Sequence, residues 1–126
     1  MRPQTLAEVA KLTIQGESFD LCLANFLDGF YAAPNQLPLA EMPQFLAPQL
    51  GEQGRVQDAY IAATAEYLAV AYHLTIPSWV IDDERKLHRP WFASQLESLR
   101  AVLLLESPAI FRARNLFVSE NALTRV

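Results

Sequence analysis

The run from Arg55 to Leu74, RVQDAYIAATAEYLAVAYHL, contains neither proline nor glycine and carries apolar side chains on more than one side. Val56, Tyr60, Ala63, Tyr67, Val70 and Leu74 recur at alternating spacings of four and three, so they stack along one face of a helix. Ile61, Ala65, Leu68 and Tyr72 make a second face in the same rhythm, which leaves only a narrow stripe with Asp58, Glu66 and His73 for water. A helix apolar most of the way round has to be covered by other elements. The chain is therefore expected to be all-α, a single irregular helical bundle over residues 1–126 around a buried central helix at 55–74.

The flanking sequence supplies the cover. Thr5-Leu6-Ala7-Glu8 has the spacing of a capping box, and Leu6, Val9 and Ala10 then face inward until Gly16. Ser18 can cap a second helix whose Phe19, Cys22, Leu23, Phe26, Leu27 and Phe30 form a wide apolar face. Prolines at 34, 38, 43 and 48 limit residues 34–54 to a connection with one or two short helical turns, followed by a flexible hinge at Gly51–Gly54. After the central helix, Pro77 to Ile81 starts a short helix or turn, and 88–92 reads as a loop. Ser94-Gln95-Leu96-Glu97 is a second capping-box pattern, ahead of an apolar surface of Leu96, Leu99, Val102, Leu103 and Leu104. Ser107-Pro108 restarts the chain as cap and first helical residue, Asn115 can close that helix left-handed, and Leu116-Phe117-Val118 is a strand-like link.

A chain that is 52% hydrophobic and 19% charged is too apolar to stay disordered. Its uncharged apolar stretches, such as Ala101–Leu105, fall short of the roughly 18 residues a membrane span needs. MRPQTLAEVAK lacks the apolar run of a signal peptide, so a cytoplasmic protein without a membrane partner is expected. Cys22 is the only cysteine, which leaves no internal disulfide; among Leu21, Leu23 and Phe26 it reads as a buried, inert thiol.

Charge is unevenly divided. Residues 1–84 carry three basic side chains against eleven acidic, a balance of −8, whereas 85–126 carry seven against three, a balance of +4. Either the two parts form surfaces of opposite sign, or they pack together and compensate within the chain or across a dimer.

No GxSxG, P-loop, GxGxxG or HExxH occurs, and no catalytic, cofactor-binding or metal-binding residue is assigned. A small metal-dependent enzyme would need Glu66, His73 and His88 brought together. Glu66 and His73 are separated by about 10 Å of helical rise, too far for joint ligation of one ion. The helices expected after Ser94 and Ser107 suggest a helix-turn-helix in a DNA-binding regulator, although Ala109, Ile110 and Phe111 occupy the turn where base-reading side chains belong. Trp79, Trp91, Phe92, Arg112 and Arg114 are the residue types that dominate protein interfaces, which makes them the candidate partner-binding set in the basic segment 85–126 and just before it.

Glu106, Ser107, Pro108, Phe111, Arg112, Arg114, Asn115, Phe117, Val118, Ser119, Asn121, Ala122, Leu123, Arg125 and Val126 match an ESPxxFRxRNxFVSxNALxRV pattern. With PSWVIDDERKLHRPWF before it, this resembles the C-terminal region of short, uncharacterised bacterial proteins that often stand beside a nucleotidyltransferase-type toxin gene. The resemblance implies an antitoxin-like companion, with a partner protein and no reaction of its own. The expectation is a non-enzymatic interaction module, docking through its C-terminal basic and aromatic region; a homodimer is a further reading, from the surplus of apolar faces. Within the motif, Glu106 is expected to reach Arg112 or Arg114, either to present the arginines to a partner or to lock the C-terminus down.

Overall fold

In the computed structural model, which describes residues 2–94 and 96–125, the chain enters its first helix where side-chain oxygens meet free amides. The Thr5 hydroxyl accepts the Glu8 N–H at 3.0 Å, and the Glu8 carboxylate accepts the Gln4 N–H at 2.8 Å, one residue before the position a reciprocal box uses. Helix α1 (Leu6–Ile14) buries Leu6, Val9, Ala10 and Leu12, and Gly16, at φ 103°, turns the chain out of it. Helix α2 (Phe19–Ala32) begins on Ser18, whose hydroxyl accepts the Leu21 N–H, and buries Cys22, Leu23, Phe26, Leu27 and Phe30 in the common core. Burial pushes the Cys22 thiol above its ordinary pKa, as suits an inert side chain.

The prolines leave a single turn, α3 (Leu37–Ala40), and a loop that carries Leu46 fully inside. Helix α4 (Ala47–Ala71) follows, with an elbow at Gly51 (φ 65°, ψ −138°). The expected flexible hinge is a pinned joint. A Cβ on Gly54 would lie 2.5 Å from the Leu46 carbonyl oxygen, so the two backbones touch there because glycine has no side chain. Asp58 closes the joint: its carboxylate accepts the Leu46 N–H at 2.7 Å and the Ala47 N–H at 3.1 Å. Asp58 was expected on the wet stripe but is 1% exposed, because unpaired amides at a helix start draw an acceptor inward.

As expected, α4 is the central rod, with Ala59, Ile61, Ala62, Ala63, Ala65, Leu68 and Ala69 buried. It starts earlier than residue 55 and stops at Ala71, with His73 beyond it at φ 57°. Its end is consequently open, and Val70 and Tyr72 of the expected apolar faces are 52% and 40% exposed.

Two 3-10 turns, Ser78–Ile81 and Asp83–Arg85, pack on α4. The expected loop at 88–92 contains a two-residue strand, β1 (Trp91–Phe92), paired in parallel with β2 (Leu116–Phe117). Phe92 stacks on Phe117 with ring centroids 5.1 Å apart, a cross-strand contact that favours the pairing. Between the strands lie α5 (Glu97–Glu106) and the single turn α6 (Ala109–Arg112). Ser94 does not cap α5: its hydroxyl accepts the Leu96 N–H, and Leu96 precedes the first turn without a side-chain cap. The glutamate half of that expected box falls on Glu97, whose side chain lies outside the described residues. Among the described residues, no helix is long and apolar enough to cross a membrane.

Candidate docking surface

Of the five side chains expected to face a partner, the fold takes two inside. Trp79 is 8% exposed and donates its indole N–H to the Leu39 carbonyl at 3.1 Å. Beside it the Arg85 guanidinium is fully buried between the Phe45 and Trp79 rings, 4.3 and 4.9 Å from their centroids, and donates to the Pro43 carbonyl. Burial lowers the pKa of Arg85, a pull that the nearby Asp58 carboxylate opposes.

Arg114 is the other. It is 7% exposed and donates to Glu66 at 2.7 Å and to the Val80 and Ile110 carbonyls at 3.0 Å each. The physical reason is Glu66 on α4: a half-buried carboxylate needs a partner, and a planar guanidinium satisfies it together with two carbonyls. Arg112 remains exposed, while Trp91 and Phe92 are half-buried. Phe92 lies between Phe117 and the Arg100 guanidinium, which sits 5.2 Å from its ring centroid.

The C-terminal motif serves as a strap. Phe111 is fully buried against Tyr60 and Tyr67 of α4. Ser107 does not cap α6: its hydroxyl donates to the Leu116 carbonyl and accepts the Val118 N–H, which ties β2 to the foot of α5, and Pro108 takes the cap position ahead of Ala109. Asn115, left-handed at φ 63°, donates to the Leu87 carbonyl at 2.7 Å. Tyr31 donates its hydroxyl proton to the Leu123 carbonyl at 2.8 Å, and Arg125 pairs with Asp28 at 2.9 Å, which holds that carboxyl below its usual pKa. Glu106 does not reach Arg112 or Arg114; it accepts the Ser119 hydroxyl and the Glu120 N–H, both at 3.4 Å. Lys86–Asp83, Arg114–Glu66 and Arg125–Asp28 each join the basic part of the chain to the acidic part. Part of the charge asymmetry in the sequence is thus folded onto itself.

What stays open is α5. Leu96 just before it, and Leu99, Val102, Leu104 and Leu105 on it, are 63%, 40%, 42%, 46% and 85% exposed, and only Leu103 is buried. The sequence marks Leu96, Leu99, Val102, Leu103 and Leu104 as an apolar surface without saying what covers it. In the run Val102-Leu103-Leu104-Leu105 successive helical residues turn by about 100°, so four in a row point nearly all round and one neighbour cannot cover them. Here the main packing partner of α5 is β2.

The other two readings find little in the geometry. Glu66 pairs with Arg114, His88 receives an Arg55 N–H at 3.2 Å, and His73 is exposed; none of the described cavities is lined by more than one of the three. Among the described residues, no three His, Cys, Asp or Glu side chains gather closely enough to hold a metal ion. The helix-turn-helix fails on length, since α6 is four residues long and presents no recognition helix. No family model, curated protein or solved structure matches the chain.

Proposed function

We propose that this protein is a non-enzymatic interaction module that docks on a partner protein through α5. One observation carries the reading: a helix uncharged from Ala101 to Leu105 holds Leu105 85% in solvent, with Val102 and Leu104 beside it nearly half exposed. Contiguous apolar surface of this kind marks association sites, and an apolar helix face seated in a groove is a recurring mode of recognition. Arg100 and Arg112, exposed near the two ends of this helix in sequence, fit a groove with an acidic rim. The resemblance of residues 106–126 to antitoxin-like companions supplies the class of partner, a nucleotidyltransferase-type toxin that the module would restrain by binding.

Co-expression with the product of the adjacent gene tests this. The wild type co-purifies, and Val102→Glu with Leu105→Glu abolishes the association while the circular dichroism spectrum and Tm stay as they were. Each lost leucine-type contact is worth about 1.5–3 kcal/mol on burial, so the pair should cost at least a hundredfold in affinity. Retained binding by that folded variant would overturn the assignment to α5.

A further inference from the structure

Trp91 and Phe92 are consecutive in β1, so their side chains leave on opposite faces of the strand. Phe92 stacks on Phe117, while the half-buried Trp91 lines a cleft of about 540 Å³ between residues 87–91 and the part of α4 just past its elbow. The strap ties down one wall of this cleft. The Arg114 carbonyl accepts the Leu87 N–H at 3.1 Å, Asn115 donates its amide to the Leu87 carbonyl at 2.7 Å, and the Asn115 carbonyl accepts the Trp91 N–H at 2.8 Å. His88 and Arg89 therefore stand on a short segment anchored at both ends. On the α4 wall, Arg55 donates one N–H to Glu84 and one to His88, each at 3.2 Å. That fixes the plane of its guanidinium and leaves others of its five donors for a ligand. Arg89 is exposed and forms no ion pair among the described residues. Val56 and Leu87 continue the apolar wall beside Trp91, and Glu52 is the one acidic side chain among the lining residues. No described residue of α5 lines the cleft, so what it binds is a separate matter from the docking surface.

We infer that this cleft binds an aminopurine nucleoside monophosphate, its base stacked on Trp91 and its phosphate held by Arg55 and Arg89. Aromatic side chains are platforms for any nucleobase, and a planar guanidinium matches the oxygens of a phosphate two at a time. Glu52 offers an acceptor for the exocyclic amine. The volume lies within the roughly 300–1,000 Å³ of small-molecule sites. Two sources present this chemistry, a free mononucleotide and the 5′-terminal nucleotide of a single strand.

The test titrates the full chain with AMP, adenosine, inorganic phosphate and a 5′-phosphorylated adenylate trinucleotide at one fixed ionic strength, followed by calorimetry and by the indole N–H resonances in NMR. AMP moves the Trp91 resonance and leaves that of Trp79, which is bonded to the Leu39 carbonyl, in place. Adenosine and phosphate each bind roughly tenfold more weakly than AMP, because each keeps half of the contacts. Arg89→Gln, at an exposed position, retains the wild-type Tm and weakens AMP binding roughly tenfold. Trp91→Leu keeps an apolar wall without the platform; it costs about tenfold for AMP and nothing for phosphate. Should Trp91→Leu lower the Tm, the Trp91 resonance and Arg89→Gln decide the matter. Tighter binding of AMP than of the trinucleotide assigns the site to a free nucleotide, and the reverse assigns it to a strand end. A Trp91 resonance unmoved by millimolar AMP, phosphate that binds as tightly as AMP, or full affinity in Arg89→Gln overturns the inference.

Discussion

Residues 97–106 and 107–125 are neighbours in sequence, and both mix aliphatic side chains with arginine, yet their fates in the fold are opposite. The second segment is tied to the body by polar bonds whose partners come from far along the chain: Arg114 to Glu66, Asn115 to Leu87, Leu123 to Tyr31 and Arg125 to Asp28. The first, although richer in leucine, buries Leu103 and leaves its other apolar residues in water. Apolar content alone therefore does not decide what becomes core here. The strap is interior because α2 and α4 offer acceptors and donors that match it, and α5 has no matching surface in this chain.

The contrast can be broken by attacking the strap. Phe111→Ala should destabilise the protein most, by about 3–5 kcal/mol in urea denaturation, because a fully buried ring would be exchanged for a cavity beneath α4. Arg114→Ala should lose about 3 kcal/mol, since it strands Glu66 and two carbonyls; if it were tolerated, the arginine would be free for a partner after all. At the elbow, Asp58→Ala should cost about 2 kcal/mol by leaving the Leu46 and Ala47 amides unpaired.

A pH titration sharpens the same contrast with a smaller effect. Burial pushes the Tyr31 and Tyr60 hydroxyls up to about 12, from an ordinary value of 10. The folded state then holds those protons more tightly than the unfolded chain, so their contribution is fully present below pH 10 and is lost as pH rises toward 12. Tyr31 donates to Leu123, so phenolate absorbance from Tyr31 should appear together with release of the strap, and Tyr31→Phe should remove that coupling. The smallest effect belongs to α5: Leu105→Ser should change monomer stability by no more than about 0.5 kcal/mol, as for an exposed surface residue.

The helical class, the central rod, the Thr5 and Ser18 caps and the left-handed Asn115 were legible because each follows from periodicity or from local hydrogen bonding. What sequence could not reveal was long-range pairing. Asp58, Glu66 and Arg114 look like surface residues until the chain brings Leu46, Arg114 and Val80 to them, and Trp79 looks like an interface anchor until Leu39 offers its carbonyl. Trp79 and Arg114 were placed in the partner-binding set for the same reason, since residue type marks tryptophan and arginine equally well for a core and for an interface. Periodicity marked Leu96, Leu99, Val102, Leu103 and Leu104 as an apolar surface, but it reports a face and not whether anything covers it.

Hydrogen exchange on the free protein, and on the complex proposed with the adjacent gene's product, tests the division between strap and proposed docking helix most directly. In the free protein, amides of α5 should exchange well before those of α4 and of the strap, and in the complex the new protection should fall on residues 97–106. Protection that appeared on the strap around Arg112, with α5 as fast as before, would contradict the account.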